Sequence, residues 1–253
     1  MKEHVTVAAP RFLLRLFALR SLYRRTFAGD RTPLRVCEIG PGLGDVASYT
    51  IAALDVESMD LYELSPEART LLTERFGHDC RVRVAGEFVP TRAAYDLILC
   101  FEVVEHIEGD IDFLAAVADS LRPGGRLIGS VPAHPSKWQA VDELAGHFRR
   151  YSVGGMRDSL LAAGFECTDV RSYGFPLINL LNPLRHRYYS RELRGRVDDD
   201  RRAATIRSGT ARGVAKRFSV PLVYGVARCF DPFRHLPGKT ALDDGLIFVG
   251  TRG

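Results

Sequence analysis

Two short segments carry the side chains best suited to acid–base or metal chemistry. The segment EVVEHI holds Glu102, Glu105 and His106, and the later segment GHFRRYS holds His147. If EVVEHI is helical, its three polar residues share one face, because they are spaced i, i+3 and i+4. An imidazole titrates near neutral pH, so His106 or His147 is a candidate general base. We count Glu105 with these two histidines as the candidate catalytic residues.

The same four side chains also suit a divalent metal ion. Two carboxylates and two imidazoles, with open positions for substrate oxygens, are a ligand set for magnesium, manganese or zinc. A third interpretation is structural, in which Glu105 and His106 only cap a helix. These alternatives stay open at the level of sequence, and we favour the metal-free base over a bound metal.

A glycine-rich turn indicates a small-molecule cofactor. The run VCEIGPGLGDVA is an apolar strand that breaks at Gly40, Gly42 and Gly44 into the start of a helix. Glycines let the backbone approach a ligand closely, and the N–H groups of the helix point into the same crevice. A nicotinamide fingerprint requires GxGxxG, but Asp45 stands where the last glycine would fall. Glu38, at the end of the strand, can meet a cationic group of the ligand.

Further strands follow the glycine turn. SMDLYEL ends at Glu63, about twenty residues beyond the glycines, where a carboxylate can accept hydrogen bonds from both hydroxyls of a ribose. CRVRVA runs into Glu87 and Phe88, and YDLILCF opens directly into EVVEHI. The Pro-Gly-Gly turn in LRPGGRLIGSVP leads into a fifth strand. FECTDVRSYG and GLIFVGTR are predicted as the sixth and seventh strands.

In order and spacing these segments resemble the class I S-adenosylmethionine-dependent methyltransferases, whose first motif is (E/D)xGxGxG. The resemblance covers about residues 34–173 and the final strand. It implies an α/β fold, a Rossmann-like, doubly wound sheet of seven strands with the last strand antiparallel. It also implies that S-adenosylmethionine is bound by Glu38, Gly40, Gly42, Gly44, Glu63, Leu64, Glu87, Phe88, Phe101 and Glu102.

The segments EVVEHI and GHFRRYS resemble, more narrowly, the ubiquinone-pathway O-methyltransferases and the small-RNA terminal 2'-O-methyltransferases. In those enzymes an ExxEH and a later His hold a metal, and the matching positions here are Glu102, Glu105, His106 and His147. The RNA enzymes carry a second His directly after the first, where this chain has Ile107. Many metal-free relatives also contain the Glu-His pair.

These resemblances lead us to expect methyl transfer to an oxygen, or less readily a nitrogen, of a small-molecule, lipid-linked or glycan-linked acceptor. An RNA 2'-O-methyltransferase is the first alternative, although no RNA-binding module is visible. A non-catalytic protein that binds S-adenosylmethionine is the second. EVVEH beside intact glycines argues against it, since a binding module needs only the glycines.

Composition is consistent with one α/β domain plus an elaboration. The chain has 253 residues, of which 46% are apolar. Its five cysteines lie far apart without a CxxC pair, and three of them fall within predicted core strands, which leads us to expect buried thiols and a reducing, cytoplasmic compartment. The N-terminal apolar stretch is interrupted by Arg11, Arg15 and Arg20, which argues against a secretory or membrane-spanning segment.

Charge and hydropathy divide the chain into three predicted parts. Residues 1–33 form an amphipathic helical lid, residues 34–174 and 241–253 form the cofactor-binding domain, and residues 175–240 form an inserted helical cap. Residues 1–35 hold eight basic and two acidic side chains, and residues 185–217 hold eleven and four. These two basic arms indicate an anionic partner, such as a membrane surface or, less readily, RNA. The predicted location is the cytoplasm, and peripheral attachment to a membrane is the alternative.

Overall fold

The structure is a computed structural model and describes residues 9–29, 32–194, 204, 206, 220–235 and 242–253. Within these residues lies one sheet, whose strands are β1 (Leu34–Ile39), β2 (Val56–Tyr62), β3 (Val82–Ala85), β4 (Tyr95–Phe101), β5 (Leu121–Pro132), β6 (Phe165–Tyr173) and β7 (Gly245–Arg252). Their order is β3-β2-β1-β4-β5-β7-β6, and β7 runs antiparallel to both of its neighbours. The predicted fold, a doubly wound sheet of seven strands with an antiparallel last strand, is confirmed.

Helices cover both faces of the sheet. They are α1 (Pro10–Thr26), α2 (Asp45–Ala53), α3 (Pro66–Phe76), α4 (Asp110–Ser120), α5 (Ala140–Ala145), α6 (Val153–Ala162), α7 (Leu177–Arg194) and α8 (Val220–Phe230). Short 3-10 turns span Val104–His106, Pro135–Lys137 and Asp231–His235. No helix in the described part of the chain has the length and apolar character needed to cross a membrane.

The central strands β1 and β4 explain why the sheet has two apolar cores. Successive side chains of a strand point to opposite faces. Val36 and Leu97 therefore join the core on one face, while Cys37 and Ile98 join the core on the other. Because β1 and β4 are parallel neighbours, their carboxyl ends lie side by side. The chain order reverses there, and such a switch point is where open α/β sheets bind ligands.

Helix α1 is a core helix, and this corrects the prediction about its arginines. In the amphipathic helix predicted for residues 1–33, charged side chains such as Arg11 and Arg15 face away from the apolar stripe. In the structure Arg15 is only 8% exposed, and both guanidinium groups point inward. The apolar residues of α1 pack against the sheet and against α7 and α8, with Phe17 edge-on to Tyr224. The apolar face of this helix is therefore covered by the protein itself.

The predicted cap, residues 175–240, contains α7 and α8. Most of its polar stretch, RGRVDDDRRAATIRSGTARGVAKRF, lies outside the described residues, and so does most of the second basic arm. The boundaries of the three parts stay predictions.

Candidate active site

The glycine turn after β1 closes tightly against the segment that follows β4. Gly40, Gly42 and Gly44 all have left-handed backbone angles, with φ of +70°, +57° and +75°. A Cβ atom placed on Gly40 would lie 2.6 Å from Cγ2 of Val103. No larger residue fits at Gly40 without moving its neighbour, so glycine is required there for both backbone conformation and space.

Glu63 connects the glycine turn to the start of α3. Its carboxylate accepts hydrogen bonds from the backbone N–H groups of Gly42 and Ser65, each at 2.9 Å, and the residue is 5% exposed. A carboxylate oxygen has two acceptor positions, so these bonds leave capacity for further donors. That Glu63 binds ribose hydroxyls stays a prediction.

The other predicted cofactor residues surround the carboxyl ends of the first four strands. Glu38 is 2% exposed at the end of β1, and Phe101 is buried at the end of β4. Phe88 is half-buried with its ring edge-on to Tyr62. Leu64 and Glu87 are exposed beside the same crevice. The structure therefore gathers these residues at one edge of the sheet, while their contacts with a cofactor stay predictions.

Glu102, the residue after β4, lies at the centre of an ion-pair cluster and is itself partly exposed. Its Oε1 accepts a hydrogen bond from Ser130 Oγ at 2.8 Å and lies 3.3 Å from Arg15 Nη1, while its Oε2 lies 3.2 Å from Arg11 Nη2. Burial alone would raise the pKa of Glu102, but the two arginines lower it to about 2. Glu102 is therefore ionised at neutral pH.

Sequence reasoning missed Arg11 and Arg15 as site residues. The available signal was their i, i+4 spacing within an apolar stretch, which puts both guanidinium groups on one side of α1. EVVEHI does not form the α-helix that would put its three polar residues on one face. Glu102 has φ of +57°, which breaks the chain away from β4, and only Val104–His106 forms a single 3-10 turn.

His147 is held by a buried carboxylate from α5. Its Nδ1 lies 2.9 Å from Asp142 Oδ1, and Arg150 Nε donates to both oxygens of Asp142 at 3.0 and 2.9 Å. Burial opposes ionisation of Asp142, yet these hydrogen bonds lower its pKa to about 2. Gly146 ends α5 with φ of +78° and turns the chain so that His147 folds back toward Asp142.

His106, His147 and Glu105 form one cluster, in which Glu105 and His147 are buried and His106 is half-buried. The two imidazole rings stand edge to face with centroids 4.6 Å apart, and His147 Nε2 lies 3.9 Å from Glu105 Oε1. Glu105 is fully buried, and neither of its oxygens has a hydrogen-bond partner among the described residues. Burial and the charge of Glu102 raise the pKa of Glu105 well above its usual range. Burial and His147 lower the pKa of His106 to about 3.

This cluster fits a divalent cation on chemical grounds. One atom from each of Glu105, His106 and His147 lies within 4.8 Å of the other two. Two imidazoles and one carboxylate are a common ligand set for divalent metals. Glu102, the fourth residue of the predicted set, is not part of this group and is engaged by Arg11, Arg15 and Ser130.

A protein-family model described as "Methyltransferase domain" matches residues 3–170. The chain belongs to this family. The predicted resemblance to class I S-adenosylmethionine-dependent methyltransferases is thereby confirmed, and so is the prediction that the protein is an enzyme.

Two curated relatives of this methyltransferase are ubiquinone biosynthesis O-methyltransferases. The mitochondrial enzyme of Schizosaccharomyces pombe is 29% identical over 114 residues, which cover 42% of this chain and 39% of the relative. The enzyme of Roseobacter denitrificans is 28% identical over 130 residues, which cover 49% of this chain and 52% of the relative. The methyltransferase thus matches about half or less of the length of these relatives.

Solved structures share the fold of this methyltransferase. Phosphoethanolamine N-methyltransferase 2 of Haemonchus contortus, in complex with S-adenosyl-L-methionine, gives a TM-score of 0.60 at 15% identity and covers 93% of this chain and 52% of that chain. An S-adenosylmethionine-dependent methyltransferase from Mesorhizobium loti gives a TM-score of 0.55 at 14% identity. The match covers 90% of this chain and 95% of that chain. At these identities the likeness establishes the fold alone.

Proposed function

We propose that this methyltransferase transfers the methyl group of S-adenosylmethionine to an oxygen of a small-molecule acceptor, with His147 as the general base. The observation that carries the proposal is the convergence of EVVEHI and GHFRRYS on one cluster, next in the chain to Val103, which packs against Gly40 of the glycine turn. The O-methyltransferase relatives, at 28–29% identity, support oxygen as the methylated atom.

The residues around the crevice fit the cofactor. Gly40 lacks the Cβ that would push Val103 away, and the close backbone turn leaves the N-terminus of α2 facing the crevice. Glu38 and Glu63 place carboxylates at the ends of β1 and β2, suited to a cationic group and to hydroxyl groups. When bound, the cofactor supplies a methyl group already activated on a sulfonium.

A base is required because an alcohol or phenol keeps its proton at neutral pH; the pKa of a phenol is about 10. General bases work best when their pKa is close to the working pH. The pKa of His106, lowered to about 3, makes that imidazole a weak base. Asp142 holds the ring of His147 through Nδ1, which leaves His147 Nε2 to accept the proton of the attacking hydroxyl. Burial of His147 and Glu105 keeps water away from that step.

A divalent cation is the second candidate means of activating the acceptor hydroxyl in the same reaction. Glu105, His106 and His147 would hold it, and the absence of hydrogen bonds to the buried oxygens of Glu105 favours this assignment. The cation would supply positive charge that lowers the pKa of a bound hydroxyl. Dialysis against a chelator distinguishes the metal-free base from the bound cation. If a metal is required, turnover is lost and returns when divalent ions are added; if His147 acts as a base alone, turnover is unchanged.

The proposed acceptors are small molecules, free or linked to a lipid or glycan, in the cytoplasm or at a membrane periphery. The basic arms support an anionic partner such as a membrane surface, and RNA is a weaker candidate. Arg11 and Arg15 weaken the case for an anionic partner of the first basic arm, because both form ion pairs with Glu102 inside the protein.

A methyl-transfer assay tests the proposal. Purified protein is incubated with methyl-labelled S-adenosylmethionine and, separately, a polyprenyl catechol, phosphoethanolamine or a short RNA with a free terminal 2'-hydroxyl. We expect an O-methyl product from the catechol, located by mass spectrometry. Labelling of the amine alone or the RNA alone would contradict the proposal. Tight cofactor binding without transfer to any of the three would contradict the proposed acceptor class.

A further inference from the structure

We propose that Asp142 is a positioning residue, which fixes the ring of His147 with its proton on Nδ1 and its lone pair on Nε2 facing Glu105 and His106. The inference rests on the proposed function for the role of His147 as the base. Its geometric part stands on contacts of Asp142 that do not depend on methyl transfer. Asp142 is 1% exposed, and its carboxylate lies between His147 and Arg150.

The hydrogen bonds of Asp142 determine which nitrogen of His147 carries the proton. Its carboxylate accepts from the backbone N–H of Gln139 at 2.8 Å and from Arg150 Nε. An ionised carboxylate only accepts hydrogen bonds, so the remaining partner, His147 Nδ1, must be the donor. In the neutral ring the lone pair is then on Nε2, the atom that lies 3.9 Å from Glu105 Oε1.

Arg150 holds the Asp142 carboxylate in place. Its side chain is 2% exposed, and its Nη2 lies 2.8 Å from Asp142 Oδ2. Arg150 Nη1 donates to the carbonyl of Ala133 at 3.3 Å and lies 3.7 Å from Asp244 Oδ1. With these contacts the carboxylate cannot rotate without leaving buried donors unpaired, which is costly. The orientation of His147 is therefore set by a rigid pair.

The same arrangement of Asp142 and His147 suits His147 both as a general base and as a metal ligand. A base needs its lone pair directed at the acceptor hydroxyl, and a metal ligand needs its lone pair directed at the cation. In both cases the opposite ring nitrogen must be occupied as a donor. Asp142 meets this requirement through its contact with His147 Nδ1.

Nitrogen-15 NMR of the imidazole rings tests the geometric part directly. In the wild-type protein at neutral pH, with the His147 signal assigned by its loss in His147→Gln, we expect a protonated Nδ1 and an unprotonated Nε2. In Asp142→Asn, Arg150 still requires the oxygen, so the amide NH₂ faces His147 and the proton moves to Nε2. The matched control is Asp110→Asn, because Asp110 is a buried carboxylate that pairs with Tyr151 and Arg149. The control should leave the ring of His147 unchanged.

Kinetics test the functional part on the same variants. We expect kcat of Asp142→Asn to fall by roughly 10²-fold or more, while KM and S-adenosylhomocysteine affinity stay within about twofold of wild type. Wild-type protein with its proton on Nε2 would overturn the inference even if Asp142→Asn failed to fold. An unchanged ring in folded Asp142→Asn would also overturn it. A switched ring with undiminished kcat would instead reject His147 as the base, and with it the reaction role of Asp142.

Discussion

The imidazole of His147 stands edge-on to that of His106, with ring centroids 4.6 Å apart. The two residues reach this position from different elements, His106 from the turn after β4 and His147 from the chain after α5. The backbone N–H of Phe148 donates to the carbonyl of Glu105 at 2.8 Å and joins the two segments. The site is thus built from two segments that pair through both backbone and side chains.

The half-buried His106 should make the stability of the protein depend on pH. Burial and His147 lower its pKa from 6.5 to about 3, so the folded protein favours the neutral ring. A group with a lowered pKa contributes stability above its unfolded pKa, and that contribution is lost as pH falls from 6.5 toward about 3. We expect His106→Gln to lose less free energy of unfolding than wild type between pH 7 and 5, measured by urea denaturation. An equal or steeper loss would contradict this.

Arg15 should matter for stability because its charge is buried against Glu102. Arg15→Met leaves that carboxylate with Arg11 and Ser130 only. We expect a loss of about 2 kcal/mol in the free energy of unfolding, less than the roughly 3–5 kcal/mol seen when a buried charge loses every partner. Arg24→Met, on the exposed side of the same helix, is the control and should change little. Equal effects of the two substitutions would show that the ion pair is not stabilising.

Gly40→Ala should weaken cofactor binding. The added Cβ meets Val103 at 2.6 Å, and alanine at φ of +70° costs about 1–2 kcal/mol of backbone strain. We expect S-adenosylhomocysteine affinity to fall by about tenfold or more in calorimetry. The control is Gly154→Ala in α6, where a Cβ meets nothing within 4 Å and affinity should be unchanged. Wild-type affinity in Gly40→Ala would refute the assignment of the glycine turn to the cofactor.

Glu63→Ala should also weaken binding, because it removes the carboxylate that accepts from the N–H of Gly42 in the glycine turn and is predicted to bind the ribose hydroxyls. The expected loss in S-adenosylhomocysteine binding is about 1–3 kcal/mol, the range for charged hydrogen bonds and unpaired donors. Glu67→Ala is the matched control, since Glu67 bonds to the hydroxyl of Ser65 and not to the glycine turn. A change of less than twofold in Glu63→Ala would mean that Glu63 acts elsewhere.

Local patterns allowed much of the fold to be predicted. Apolar runs bounded by Gly, Pro and charged residues predicted the strands, and the spacing of Gly40, Gly42 and Gly44 predicted the turn after β1. The convergence of His106 and His147 was expected from the resemblance, and the structure brings them together. These features depend on neighbouring residues or on strand order.

Long-range pairing explains what the sequence did not reveal. Arginine in an amphipathic helix normally faces solvent, so burial of Arg11 and Arg15 required knowledge of Glu102 on another element. No motif in the sequence distinguished Asp142 from other acidic residues. Its role depends on Gly146, which ends α5 and returns His147 to it.

The central claim is that His147 removes the proton of the acceptor after the cofactor has bound. The most direct measurement compares His147→Ala with wild type in the labelled-methyl assay and, in parallel, in calorimetric binding of S-adenosylhomocysteine. We predict a fall in kcat of roughly 10²- to 10⁴-fold with cofactor affinity within about twofold of wild type. A turnover close to wild type in His147→Ala would contradict the claim and leave methyl transfer to positioning alone.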